Sequence, residues 1–547
     1  MTVPPPPNAP EEETPGTPES EPAPVLAAAR QKGGSAIFVS IGILASRMFG
    51  VLRQILQAKY LGVAPAADAF TAAFKIPNLL QNLFGEGALS ASFIPVYSRL
   101  LARGEEEEAG RVAGAVLSLL TLTVSVIVLV GVVATPVIIP LIAAGFEPER
   151  RDLTIRFTRI LFPGAGIFVV SAWCLGVLNT HRKFLLSYSA PVLWNVAMIG
   201  ALLLYGGKQT ATDLAATLAW ASVIGAAMQF LVQVPSTLRV AKHLRFGLAL
   251  ESAHTRAVMR NFGPVFVSRG VVQLSAYIDQ WIANFLPVGI VSTLGYAQTI
   301  YVLPVSLFGM AVSAAQLPEM SSAVGTDDEI ATFLRKKLDG GLRQIAYFVI
   351  PSAMAFVAFG DVITRVLLER GHFAPQNTLY TWGILAGSAV GLLASTMGRL
   401  YSSTYYALHD TKTPLRFAMI RVALTTVLGW LFALPLPRLL GLDAHWGAAG
   451  LTISAGIAGW VEFILLRSRL NQRIGHTGLP ASAAVQLWGA AAVGAAAGWG
   501  MRLMANGQNK YVEGFLVLGA FSAVYLGATI ALRVPEARTA LRRITRR

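Results

Sequence analysis

From Ser35 to Arg533 the chain repeats one pattern: a run of Ala, Val, Leu, Ile, Phe and Gly long enough to cross a bilayer, then a short polar connection. Fourteen such segments are counted, near 35-58, 65-100, 111-143, 153-180, 185-206, 212-238, 257-286, 288-322, 332-368, 378-408, 414-437, 446-470, 480-505 and 511-533. A helical span needs about 20 apolar residues, and one segment with its connection occupies only about 37 here, so no sizeable domain fits outside the membrane. Backbone polar groups inside hydrocarbon must be satisfied within the segment, and the pattern therefore predicts an all-α polytopic membrane protein with about 14 transmembrane helices.

The pattern fails over the first thirty residues, where nine prolines and five glutamates replace apolar side chains. Residues 1-34 are expected to form a disordered tail, and the first span to serve as an uncleaved targeting element, because no basic region precedes a short apolar core. Composition agrees with the pattern: 54% hydrophobic and 13% charged residues, with a mean hydropathy of +0.57, exclude a soluble globular chain. The single cysteine, Cys174, excludes an internal disulfide or thiolate zinc site.

The net charge of +15, from 44 basic and 29 acidic residues, raises the question of a nucleic-acid partner. Its distribution answers it. With a cytoplasmic N-terminus, 28 basic residues fall in cytoplasmic connections, 11 on the other side, and five, Arg47, Arg53, Lys75, Arg269 and Arg399, inside segments. This asymmetry is what membrane insertion selects, so both termini are expected in the cytoplasm, with a basic tail at 534-547 and no nucleic-acid partner.

Cations inside spans are the chemistry that stands out. Each costs about 2.5 to 3.5 kcal/mol at a helix centre and needs water, a carboxylate or an anionic ligand. Arg47 and Arg53 lie six residues apart, about 9 Å along the axis and about 120° around it, so both can line one broad cavity wall. Asp68, Lys75 and Glu86 follow on segment 2. Two readings are open: ion pairs of Arg47 or Arg53 with Asp68 or Glu86 that lock two helices, or a site for an anionic substrate, which the excess of cations favours. On segment 7, Arg269 and Asp279 are about 15 Å apart, too far to pair. Asp279 fits a sodium or proton site and, equally, a salt bridge to a neighbouring helix. Arg399 fits an interface, as do Glu319, Asp361 and Glu462, which fall near predicted helix ends.

Pro77, Pro95, Pro304 and Pro318, with Gly85, Gly87, Gly263 and Gly309, interrupt segments 2, 7 and 8, as bending helices require. A faint repeat relates Phe38-Gly42 to Phe266-Gly270 and Phe84-Gly85 to Phe308-Gly309, six segments apart, as in transporters built from parallel repeats. The sequence holds no GxxxxGK[ST], HExxH or GxSxG motif and no Cys/His cluster, so the reading is a transporter without a resident cofactor, not an enzyme.

Two stretches carry a family resemblance. SRMFGVLRQILQAKYLGVAPAADAFTAAFKIPNLLQNLFGEGALSASFIPVYSRLLARGE, from Ser46 to Glu105, and YYALHDTKTP, from Tyr405 to Pro414, resemble the MurJ (MviN) lipid II flippases of the multidrug/oligosaccharidyl-lipid/polysaccharide exporter superfamily. The resemblance implies two six-helix lobes, 35-245 and 246-474, and two further helices in 475-533 that form a groove for a lipid tail. It implies translocation of lipid II, an undecaprenyl-pyrophosphate peptidoglycan precursor, from the inner to the outer leaflet of the bacterial cytoplasmic membrane by alternating access. Membrane lipids and proteins of cell-wall synthesis are the partners it suggests.

On the same resemblance Arg47, Arg53, Asp68, Lys75 and Glu86 match substrate-cavity positions, and Arg399 stands where a basic residue is usual. Gln81 and Thr299 replace arginines of the family's pyrophosphate site, and Gln54 and Gln298 replace acids. Arg269 is the cation expected to compensate; snorkelling to the cytoplasmic interface is its other reading. A sodium site implied by the family falls on Asp279, Thr425 and Thr452, with Gly429 in place of one ligand. The alternatives are a flippase for another polysaccharide lipid, a drug exporter, a non-transporting scaffold of cell-wall synthesis, and a membrane glycosyltransferase or ligase, against which the short connections count.

Overall fold

In the computed structural model, residues 34–249, 251–505 and 507–538 are described, apart from some side chains, among them those of Glu86 and Arg269. The tail over the first thirty residues lies outside them. The helices run α1 (Gly34–Leu61), α2 (Pro65–Phe84), α3 (Glu86–Ser92), α4 (Ile94–Ala102), α5 (Glu106–Ile142), α6 (Pro148–Thr180), α7 (Phe184–Tyr205), α8 (Ala211–Val240), α9 (Ala253–Ala283) and α10 (Ile290–Pro304). A π-helical turn, Val305–Met310, leads into α11 (Ala311–Ser321). Then follow α12 (Asp327–Leu367), α13 (Pro375–Ala407), α14 (Lys412–Ala433), α15 (Pro435–Leu439), α16 (Gly447–Ile474), α17 (Ala481–Met504) and α18 (Lys510–Ala531). There are no strands among the described residues.

Eleven helices among the described residues are long and apolar enough to cross a membrane, against fourteen expected segments. The other three segments coincide with α1, with α2 to α4, and with α9, the helices on which Arg47, Arg53, Asp68, Lys75, Arg269 and Asp279 lie. The chain is a multi-pass membrane protein.

Helices up to α8 pack mainly with one another around two apolar clusters, one built on Phe93, Tyr97 and Trp173, the other on Phe70, Phe157 and Leu218. Helices α10 to α16 surround a larger cluster that Ala58, Ala72 and Phe146 also enter, and α17 and α18 pack on α12 through Phe359 and Phe521.

The expected bends are present in part. The second span breaks at Gly85 and again at Phe93, just before Pro95, whereas Pro77 lies within α2 without ending it. Pro304 removes one backbone donor, and the π-helical turn follows it directly.

Candidate functional site

At one end of the molecule the two helix groups are tied together. Asp68, in the first turn of α2 and fully buried, accepts hydrogen bonds from the Gly289 N–H (2.6 Å), the Ser292 N–H (2.8 Å) and the Ser292 hydroxyl (2.8 Å). These N–H groups open α10 and lack partners in their own helix, so the carboxylate caps a helix of the other group at its positive end. Arg150 of α6 completes the set at 3.4 Å. Around this latch the Tyr296 hydroxyl donates to the Gly62 carbonyl (2.8 Å), the His372 N–H to the Lys59 carbonyl (2.9 Å), and the Asn284 amide to the Ile142 carbonyl (2.8 Å). Gly289 has a φ of 91°, and a Cβ there would come 3.0 Å from the Val63 carbonyl, so glycine permits this close approach.

Away from the latch a cavity of 320 Å³ opens between α1, α7 and α10, lined by Arg47, Arg53, Trp194, Asn195, Gln298 and Thr299 among others. The α1 side chains recur at Ser46, Arg47, Gly50, Arg53 and Gln54, one helical face, so the two arginines share the broad wall that their spacing allows. Arg53 is held by neutral groups. Its Nε donates to Asn195 Oδ1 (3.1 Å), its Nη1 to Gln57 Oε1 (3.4 Å), and its guanidinium lies 4.8 Å from the centre of the Trp194 ring. The Asn195 amide N–H₂ donates in turn to the Pro191 carbonyl (3.2 Å), which turns its oxygen to the arginine. These contacts orient Arg53 without neutralising it. Arg47 is exposed at the cavity and makes no ion pair among the described residues.

The remaining candidates divide. Asp68 does not pair with Arg47 or Arg53, and it does not line the cavity; its four donors make it part of the latch. Lys75 faces α9, where the Tyr277 hydroxyl donates to its carbonyl (2.6 Å), and near it lies Asp279. Asp279 has a buried Oδ1 without a hydrogen-bond partner, with Lys75 and Arg421 as the neighbouring cations. Arg421 itself pairs with Glu462 at 3.0 Å. Glu462 therefore sits mid-helix in an ion pair, which corrects its interfacial assignment.

Thr425 is buried one turn from Arg421. Thr452 turns the other way, donating to the Ile384 (3.1 Å) and Ala449 (3.0 Å) carbonyls. A Cβ at Gly429 would meet Ile282 and Ser454, so Ser454, not Thr452, faces that position. Arg399 is exposed on α13 beside Tyr301 of α10 and outside the 320 Å³ cavity. The side chains of Glu86 and Arg269 lie outside the described residues, so the compensation expected of Arg269 has no geometry here.

A cavity with oriented, uncompensated cations between two helix groups suits an anionic ligand. The family model described as lipid II flippase MurJ matches residues 57–522. The chain belongs to the MurJ family. A lipid II flippase MurJ from Burkholderia cenocepacia is 31% identical over 437 residues, covering 79% of this chain and 82% of that protein. A probable lipid II flippase MurJ from Rickettsia prowazekii is 29% identical over 437 residues, covering 79% and 83%.

The fold matches a solved lipid II flippase MurJ in an inward closed conformation, with a TM-score of 0.76 at 24% identity over 91% of this chain and 99% of that one. It also matches an inward-facing multidrug MATE transporter, with a TM-score of 0.63 at 17% identity over 80% and 98%. Arg47 and Arg53 precede the stretch that the MurJ family model matches, whereas Asp68, Lys75 and Asp279 lie within it. Asn195, Trp194, Arg150 and Arg421, which hold or surround these charges, were not singled out from the sequence. The proximity of Trp-Asn to a proline in segment 5 was the available signal.

Proposed function

We propose that this chain is a lipid II flippase that carries the anionic pyrophosphate-sugar headgroup across the bacterial inner membrane while the polyprenyl tail stays in lipid, and that it performs no catalytic step. The observation that carries this reading is Arg53, aimed into the cavity by Asn195, Gln57 and Trp194 with no carboxylate among those partners. A guanidinium so held offers charge-assisted, bidentate hydrogen bonds to a phosphate. Arg47 supplies a second cation on the same face.

In this reading 35-245 and 246-474 act as two lobes, and the end latched by Asp68 is the outward one, with both termini cytoplasmic. Headgroup binding precedes release of the latch, and the breaks at Gly85 and Val305–Met310 absorb the bending. Proteins of cell-wall synthesis are the partners to which the headgroup is handed.

The return step is assigned to Asp279. Thr452 is turned away, Gly429 has no side-chain donor, and two cations already neighbour the carboxylate, so the donor set fits a proton better than sodium. Membrane potential contributes about 2.3 kcal/mol per charge per 100 mV.

Replacing an essential flippase by this chain in a depletion strain tests the assignment. The parent chain should restore lipid II exposure at the outer surface. Arg53→Ala should slow exposure at least tenfold, equivalent to about 1.4 kcal/mol, and Arg53→Lys should recover little because it loses the planar fork. An Arg53→Ala protein as active as its parent would sink the assignment.

A further inference from the structure

A second cavity is larger than the cationic one. It is a groove of 920 Å³ between α5, α6 and α8, with walls formed by Leu117, Val128, Ile167, Val170 and Val234, and Phe246 of the loop after α8 also lines it. Its rim side chains Leu122 and Leu238 are 56% and 51% exposed, so it opens on the outer surface of the first helix group, which in a bilayer meets hydrocarbon. Water does not fill an apolar groove of this kind, and a hydrocarbon chain does. From Leu117 to Val128 the groove follows α5 for about 16 Å, close to half of the roughly 30 Å hydrocarbon core, that is, one leaflet. On its floor Trp173 is only 2% exposed, and its indole N–H has no hydrogen-bond partner.

The stretch of chain that follows α8 beside the groove is charged, and backbone contacts hold it against α5. The loop after α8 lies directly on α5: the Arg245 N–H donates to the Gly110 carbonyl (3.4 Å), the Gly247 N–H donates to the Ser118 hydroxyl (3.3 Å), and a Cβ at Gly114 would sit 1.9 Å from the Arg245 carbonyl. This packing sets Leu244 and Phe246 along the groove, and Arg239 and Lys242, which lie in the same stretch between the lining residues Leu238 and Leu244, are exposed. Arg245 is 3.7 Å from Glu107, whereas neither Arg239 nor Lys242 has an ion-pair partner among the described residues.

We propose that this groove binds an acyl chain of an anionic glycerophospholipid, with its phosphate on Arg239 and Lys242. The site is separate from the substrate cavity on α1, α7 and α10, and it does not rest on the flippase reading. Because the same loop continues into α9, an occupied groove fastens the connection between the two helix groups.

The test uses the full chain in vesicles containing phosphatidylglycerol with a photoreactive diazirine in mid-chain, or phosphatidylcholine with the same chain, and maps the labelled peptides by mass spectrometry. Phosphatidylglycerol should label α5, α6 and α8 peptides at least fivefold more than phosphatidylcholine. Arg239→Gln with Lys242→Gln should reduce that labelling to the phosphatidylcholine level, and Gly166→Leu, which fills the groove, should reduce both. If Gly166→Leu does not fold, the exposed Arg239 and Lys242 variants decide alone. Equal labelling by the two lipids would mean bulk annular lipid and overturn the proposal. So would labelling displaced by undecaprenyl phosphate but not by unlabelled phosphatidylglycerol, which would make the occupant a polyprenyl chain.

Discussion

Asp68 and Arg53 are charges on adjacent helices, and the protein holds them in opposite ways. Asp68 is surrounded by four donors, three of them from the far helix group, and one is the cation Arg150. Arg53 has neutral partners from its own group and no counter-ion among them. Both arrangements fix a side chain. Only the first neutralises it, and that difference separates a group that fastens the molecule from one that keeps its field available to a ligand. Asp279 stands between them, with cations nearby but one carboxylate oxygen left without a hydrogen bond.

Removing the fastening group should have the largest effect. Asp68→Ala strands the buried Arg150 and the first N–H groups of α10, and loss of one partner from a buried pair costs about 3 to 5 kcal/mol. A marked fall in melting temperature is expected. The latched end should also become accessible: Cys174 is buried, so a Val63→Cys variant reports labelling at that end by an impermeant maleimide, and Asp68→Ala should speed it. An unchanged melting temperature together with unchanged labelling would show that the latch fastens nothing.

Next, the cavity can be made to resemble the latch. Asn195→Asp would place a carboxylate on the Nε of Arg53, where the amide oxygen now lies at 3.1 Å. The protein should fold, with a melting temperature near that of the parent, while lipid II translocation falls at least tenfold because the cation is neutralised. Full translocation in Asn195→Asp would mean that orientation matters at this site and free charge does not.

A smaller and more selective effect is expected at Asp279. Asp279→Asn preserves shape but cannot take up a proton, and Lys75 and Arg421, the latter paired with Glu462, then face a neutral group. Translocation in reconstituted vesicles should slow severalfold and lose its response to pH while folding is retained. An Asp279→Asn protein with the parent's pH response would remove the proton assignment.

The comparison also explains what the sequence could reveal. Apolar periodicity located the spans, and the spacing of Arg47 and Arg53 placed both on one wall, because these are properties of a single helix. Partners were invisible where they come from elsewhere in the chain. Arg150 is 82 residues from Asp68, and chain proximity pointed instead to Arg47 or Arg53. Asn195 and Trp194 carry no charge and blend into an apolar span. The family resemblance groups Thr452 with Thr425, yet its hydroxyl direction depends on α13. Phe84 and Phe266 belong to different pairs of the faint repeat, yet their rings meet, 5.0 Å apart, which only the packing of α2 on α9 could disclose.

The smallest effect is expected in the turn that carries the second family stretch. There His409 takes a φ of 57°, and Asp410 accepts from the Thr413 N–H (3.0 Å) and hydroxyl (2.8 Å) while pairing with Arg473 (2.8 Å). Partial desolvation would raise its carboxyl, but the two Thr413 donors and Arg473 outweigh it and hold the group below the usual carboxylate value. A lowered folded-state value means that the carboxylate stabilises the fold above the ordinary carboxylate range and that this contribution is lost as pH falls through the lower, folded value. Between pH 8 and 5 it should be constant. Being near the surface, it should amount to less than about 1 kcal/mol. Asp410→Asn should therefore lower the melting temperature slightly at neutral pH and flatten its decline on acidification below about pH 4. Melting curves that keep the same acid limb in both proteins would show that this turn is held by its backbone and Thr413 alone.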